Sequence, residues 1–152
     1  MNLAKLKKSI TNILESKQVF STKLQLICSY LKEEIDYYDW VGFYFMEDST
    51  KELILGPYVG KKTNHTKIPY GKGVCGQVAI SGETFVVQDV DQEENYLACS
   101  LDTKSEIVVP IYKGGKLIGQ IDIDSHIHHP FKVEDEILLK KVCEITVRKG
   151  WV

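Results

Sequence analysis

The stretch that most constrains this chain is Ser105-Glu-Ile-Val-Val-Pro-Ile-Tyr112, followed by Lys113-Gly-Gly115 and Lys116-Leu-Ile-Gly-Gln-Ile-Asp-Ile-Asp-Ser125. Two β-branched runs joined by paired glycines predict an antiparallel hairpin, since glycine enters the backbone conformations a tight connection needs. Side chains alternate across a strand, so Asp122 and Asp124 share one face. Glu106 opens the first strand while the aspartates close the second, and antiparallel pairing brings the three acids toward one end of the sheet. Acidic side chains are ordinarily solvated. Two same-face aspartates flanked by Ile121 and Ile123 instead predict a cavity lining, where clustering raises at least one pKa and keeps a proton available. Such a cluster binds a cationic amine through its ionised members and donates a hydrogen bond from a protonated one. Both properties suit an amino-acid-like substrate.

The rest of the chain supplies the layers around that hairpin. Leu3, Leu6, Ile10, Ile13 and Leu14 recur at spacings of three and four, predicting an amphipathic helix over the first sixteen residues. A second helix carries Leu24, Ile27, Leu31 and Ile35 on one face, with Ser21 as its expected N-cap. The period then changes to that of strands. Trp40-Val-Gly-Phe-Tyr-Phe-Met46 and Glu52-Leu-Ile-Leu-Gly-Pro-Tyr58 flank a polar turn and predict a second hairpin. Trp40 and Tyr44 fall on one face of its first strand, where they either wall the acidic cavity or fill ordinary core.

A polar loop over 59–66 leads to Ile68-Pro-Tyr-Gly-Lys-Gly-Val-Cys-Gly76, whose glycines predict a tight turn with exposed amides that presents Cys75 to a cavity. Residues 77–80 have room only for a short helix, and 84–87 read as a strand. The acidic, irregular stretch 88–104 carries Cys99; so long a segment without a pattern is more often functional than decorative. A last helix bears Ile137, Leu138, Val142, Ile145 and Val147. The order helix, helix, hairpin, loop, hairpin, helix predicts one α+β domain over residues 1–152 with a mostly antiparallel central sheet.

Composition narrows the function classes. A net charge of −2 offers no basic field for nucleic acid. No apolar run approaches the roughly 20 residues of a membrane span. The lysine-punctuated N-terminus is unlike a signal peptide, which predicts a cytoplasmic protein. Four cysteines without a C-x-x-C pair argue against a zinc ribbon, and a reducing compartment argues against permanent disulfides. Cys28 and Cys143 lie on apolar helical patterns and read as core. Cys75 and Cys99 lie in glycine-rich or polar segments, where access and amide hydrogen bonds favour a thiolate. If those two meet in space, the chain is a thiol enzyme or redox switch; if they do not, it is a small ligand-binding domain. His126-Ile-His-His129 reads as solvated turn residues, so no metal site is expected. Gly71-Lys72-Gly73 lacks the spacing of a phosphate-binding loop, which excludes nucleotide hydrolysis.

With Trp40-Val-Gly-Phe-Tyr44, Leu55-Gly-Pro57, Ile68 to Gly76, Asp89-Val90, Leu97-Ala-Cys99, Ser105-Glu-Ile-Val-Val-Pro110 and Gly119-Gln-Ile-Asp-Ile-Asp-Ser125, the chain resembles the free methionine-(R)-sulfoxide reductases, which are stand-alone GAF domains. The resemblance implies terminal helices on one face of the sheet and ligand-covering loops on the other. It also implies reduction of the R-sulfoxide of free methionine, no bound cofactor, NADPH-linked thioredoxin as reductant, and a homodimer. Residue by residue, Cys99 matches the catalytic cysteine and Cys75 a resolving cysteine, while Glu106, Asp122 and Asp124 match acids around the sulfoxide and amine. Trp40 and Tyr44 match an aromatic wall, and Tyr70, Gly73 and Val74 complete the expected substrate-binding set. Glu106 and Asp124 are the acids expected to act with the two cysteines in catalysis.

Two positions depart from the family. His65 stands where most members carry a further cysteine, so recycling falls to Cys75, and Ser100 stands where an aspartate commonly follows the catalytic cysteine. The rival reading is a non-catalytic GAF module that binds a small molecule for regulation. Against it stand the acid and thiol constellation and the lack of an attached output domain.

Overall fold

Among the described residues the alternating central segments fold as six strands: β1 (Trp40–Glu47), β2 (Glu52–Val59), β3 (Lys67–Pro69), β4 (Phe85–Val87), β5 (Ser105–Lys113) and β6 (Lys116–Ser125). The computed structural model describes residues 1–97 and 100–151. Among them, the strands form one sheet in the order β3-β2-β1-β6-β5-β4, with every neighbouring pair antiparallel. Both hairpins read from the sequence are present, and they join through β1 and β6. There Trp40 lies opposite Asp124, Gly42 opposite Asp122 and Tyr44 opposite Gln120.

Helices α1 (Leu3–Glu15), α2 (Phe20–Glu34) and α4 (Val133–Lys149) cover one face. Their apolar stripes, including Leu6, Ile10, Leu24, Ile27, Leu138 and Leu139, close on Val41, Phe43, Ile107, Val109, Ile121 and Ile123 in one buried cluster. Each fully buried large aliphatic side chain contributes about 1.5–3 kcal/mol, so this layer holds the sheet rigid. Cys28 and Cys143 belong to it as expected, and burial pushes both thiols well above their usual range.

The opposite face carries the shorter helix α3 (Gly73–Ser81) and the loops, over a second cluster of Trp40, Tyr44, Leu53, Ile68, Val74, Cys75, Val78 and Val108. Alternation of β1, β5 and β6 thus divides the molecule into an apolar structural layer and a mixed layer that contains all three acids.

Three local expectations are corrected. Ser21 is not the N-cap of α2, which begins at Phe20 after Val19 and has no side-chain cap; the Phe20 ring, at the first helical position, packs edge-on against Trp151, 5.5 Å between centroids. The strand β3 was hidden by Lys67 and Pro69, and it pairs with β2 only through residues 52–54. Cys75 does not sit in an exposed turn: α3 starts two residues before it and runs for nine residues. Gly71 (φ +94) and Gly73 (φ +66) make the turn instead. Gly76 lets the helix lie flush on it, because a Cβ there would meet the Pro69 carbonyl oxygen at 2.8 Å.

Candidate active site

Register places the acids. Glu106 of β5 faces Asp124 of β6, and Val108 faces Asp122, so the three carboxyls occupy one end of the α3 side of the sheet. All are buried, with Asp122 at 0% exposure. Burial raises the Asp122 carboxyl above the usual carboxylate range, opposed by hydrogen bonds with Glu106 and Cys75. The three acids are thus buried together, as the alternation of β6 predicted.

Helix α3 lowers Cys75 onto this cluster. Its Sγ lies 3.3 Å from Asp122 Oδ2 and 3.8 Å from Glu106 Oε2. Gln120, two residues before Asp122 on the same face, donates from Nε2 to the Cys75 carbonyl oxygen at 3.1 Å and ties the first turn of α3 to the sheet. Sequence reasoning did not single out Gln120, although a third buried polar residue in phase with the two aspartates was the available signal.

Trp40 and Tyr44 share the α3 face of β1, as expected, and pack there with Tyr58. Trp40 stacks on Tyr44 and on Tyr58, with centroids 6.5 and 5.2 Å apart. Its ring lies across Gly42, opposite Asp122: a Cβ on Gly42 would come within 2.4 Å of it. The Trp40 indole N–H donates to the Lys61 carbonyl oxygen and the Tyr44 hydroxyl to that of His65, fixing both rings. Neither ring lines the cavity beside Cys75.

That cavity is bounded by Ile68, Lys72, Gly73, Val74, Cys75, Leu97, Glu106 and Asp122, and its volume is only ≈ 10 Å³. This is space for about one water molecule. Leu97 closes it, lying so near Gly73 that a Cβ there would meet its own Cβ at 2.7 Å. Asn95 latches the same loop onto the glycine turn: its Oδ1 accepts the Gly73 N–H at 2.9 Å and its Nδ2 donates to the Gly71 carbonyl oxygen at 2.8 Å. Gln77 adds a bond from Nε2 to the Asn95 carbonyl oxygen at 3.1 Å. Asn95 and Leu97 were not foreseen, because nothing local in a polar loop reveals what it packs on.

The expected site set is thus partly assembled. Glu106, Asp122, Cys75, Gly73 and Val74 meet at the cavity; Asp124, Trp40 and Tyr44 flank it on adjoining strands. Tyr70 does not join them. Its hydroxyl donates to Asp48 Oδ1 at 2.9 Å, and burial with that carboxylate pushes its pKa up to about 12. The Gly73 amide, one of those expected to be exposed, is engaged by Asn95. Cys99 lies outside the described residues.

His126 and His128 pair with other acids than these three. His126 lies 3.8 Å from Asp39, and His128 3.4 Å from Asp89; Asp89, Asp91 and His128 offer ligand atoms within 4.8 Å of one another near the surface.

A family model described as GAF domain matches residues 18–146. GAF domain-containing protein A of Dictyostelium discoideum is 37% identical over 131 residues, covering 86% of this chain and 80% of the relative. The free methionine-R-sulfoxide reductase of Escherichia coli is 33% identical over 139 residues, covering 91% and 82%. The structure of free methionine-R-sulfoxide reductase from Neisseria meningitidis, in complex with its substrate, superposes with a TM-score of 0.90 at 34% identity, covering 97% of this chain and 87% of that one.

Proposed function

The chain belongs to the GAF domain family and, within it, to the free methionine-R-sulfoxide reductases, and from that premise we propose that it reduces free methionine-(R)-sulfoxide by a two-thiol mechanism. The observation that carries this reading is the Cys75 thiol 3.3 Å from a fully buried Asp122 whose carboxyl holds its proton above the usual range.

The sulfoxide sulfur is attacked by the Cys99 thiolate while a protonated carboxyl, best supplied by Asp122, transfers its proton to the sulfoxide oxygen. Attack and protonation give a hydroxyl-bearing methionine sulfur bonded to Cys99; the hydroxyl then passes to the Cys99 sulfur as the S–O and the new S–S bonds break, methionine leaves with the electron pair on its sulfur, and Cys99 becomes a sulfenic acid. Cys75 then attacks the Cys99 sulfur, the disulfide forms, and the hydroxyl departs as hydroxide, which takes a proton from solvent. Asp122, now a carboxylate 3.3 Å from Cys75 Sγ, is placed to take the thiol proton and return to its starting state. Glu106 and Asp124, with Asp122 when ionised, serve the substrate ammonium. Trp40 and Tyr44 flank its side chain.

Entry requires Leu97 and the Asn95 latch to move, because ligand sites are typically about 300–1,000 Å³ and the closed cavity is far smaller. Release of Asn95 also frees the Gly73 amide at the start of α3 for the substrate carboxylate.

The reading includes no bound cofactor, recycling by NADPH-linked thioredoxin through thiol exchange, a homodimer and a cytoplasmic setting. No described helix is long and apolar enough to cross a membrane.

The test is a coupled assay of free methionine-(R)-sulfoxide with thioredoxin, its reductase and NADPH. Wild type should turn over, Cys99→Ser should be inactive, and Cys75→Ser should yield one methionine per enzyme without turnover. Unchanged activity in Cys99→Ser removes the mechanism. Absence of turnover and of a single-turnover burst in wild type favours a regulatory, ligand-binding GAF module.

A further inference from the structure

We propose that Cys75, Glu106 and Asp122 also form a binding site for a thiophilic divalent cation of the zinc class, available only while Cys75 is reduced. Each residue contributes one ligand atom, and the three atoms lie within 4.8 Å of one another. A tetrahedral zinc ion with Zn–S of about 2.3 Å and Zn–O of about 2.0 Å separates its sulfur and oxygen ligands by about 3.5 Å. The two S···O distances here, 3.3 Å to Asp122 and 3.8 Å to Glu106, bracket that value. The donors are mounted on α3, β5 and β6, and the Gln120 bond to the Cys75 carbonyl oxygen fixes the helix against the sheet. A cation therefore meets a nearly formed site.

A second observation also points to a ligand. Asp122 is fully buried, yet its Oδ1 has no hydrogen-bond partner. A cation, or a water bound to one, would satisfy that oxygen. The adjoining ≈ 10 Å³ cavity has room for about one water, the usual fourth ligand of an open zinc site. Charge agrees: a thiolate and two carboxylates carry −3, which burial disfavours, and a dication reduces this to −1. Binding releases to solvent the thiol proton and any proton held by the two carboxyls. Oxidation of Cys75 to a disulfide removes the thiolate and with it the site. The surface group of Asp89, Asp91 and His128 offers comparable spacing, but two of its three residues are exposed, so water competes for its donors.

Because the ligands are those assigned to substrate and resolution, inhibition of turnover rests on the proposed function; binding itself does not. The reduced full-length protein would be titrated with cadmium, followed by its thiolate charge-transfer absorption, and with zinc against a chromogenic chelator. Wild type and Cys99→Ser should each bind one equivalent with the thiolate band. Cys75→Ser should lose the band and bind at least 10²-fold more weakly. Asp122→Asn should weaken binding about 10–100-fold, and His128→Ala should leave it unchanged. Circular dichroism and thermal melts would establish that the variants are folded; if Cys75→Ser is not, wild type oxidised to the Cys75–Cys99 disulfide replaces it and should bind no cadmium. The proposal is overturned if wild type binds none, if the band survives in folded Cys75→Ser, or if it disappears in Cys99→Ser or His128→Ala. Cadmium binding through Cys75 in a protein that reduces no sulfoxide would sink the enzyme reading and leave this one standing.

Discussion

Asp122 is the residue whose chemistry reaches furthest. Its carboxyl is raised above the ordinary value of 3.8 by burial, so the folded chain holds a proton that the unfolded chain releases. The stability tied to that proton is full below the unfolded pKa and is lost as pH rises toward the folded one. Asp122→Asn removes the slope. Its melting temperature should match that of wild type near pH 3.8 and exceed it at pH 7–8, by about 2–4 °C for each kcal/mol of relieved penalty. The same variant should lose about 10²–10⁴-fold in sulfoxide reduction, the usual worth of a positioned proton donor. Thermal melts from pH 4 to 9 check the first expectation; a stability difference that stays constant with pH would assign it to packing.

At the scale of elements, the junction between α3 and loop 88–104 controls access. The Asn95 side chain makes two bonds to the glycine turn, at 2.9 and 2.8 Å, and Leu97 fills the space beyond it. Asn95→Ala should remove a latch of about 1 kcal/mol, which changes the population of the open state about fivefold. Hydrogen exchange at Gly73 should quicken by that factor, and KM for the sulfoxide should fall; unaltered exchange would mean that the loop is held by other contacts. Gly73→Ala acts on the same joint. It forces a side chain into φ +66 and against Leu97, so the expected result is a loss of about 1–2 kcal/mol by urea unfolding together with displacement of the loop.

Across the whole molecule, the start of α4 is pinned to the connection between α2 and β1 by a buried polar cluster remote in sequence. Asp135, at the start of α4, accepts the Tyr37 hydroxyl at 2.8 Å, the Tyr38 hydroxyl at 2.7 Å and the Lys132 amide at 2.8 Å. Burial and this carboxylate raise the pKa of both tyrosines. Removing the acceptor strands the buried Tyr38 hydroxyl. Asp135→Ala should therefore cost about 2–4 kcal/mol, lowering Tm by about 5–15 °C, with the activity of the folded fraction intact. Loss of activity at full stability would show that the two faces of the sheet are coupled.

What could be read from residues alone was whatever period and local chemistry encode. Paired glycines between two β-branched runs determined the β5–β6 hairpin, three-and-four spacing determined α1, and strand alternation put Asp122 and Asp124 on one face. The likeness to the reductase family rested on motifs that stand intact in the chain. Tertiary structure alone decided that Cys75 is helical and buried against two carboxyls, that Tyr70 turns to Asp48, that Gln120 anchors α3, and that Asn95 and Leu97 shut the cavity. Apart from the helical state of Cys75, each of those facts is a contact between segments more than twenty residues apart. Propensity and periodicity act over a few residues; such contacts are fixed only when the layers close and buried polar groups must find partners.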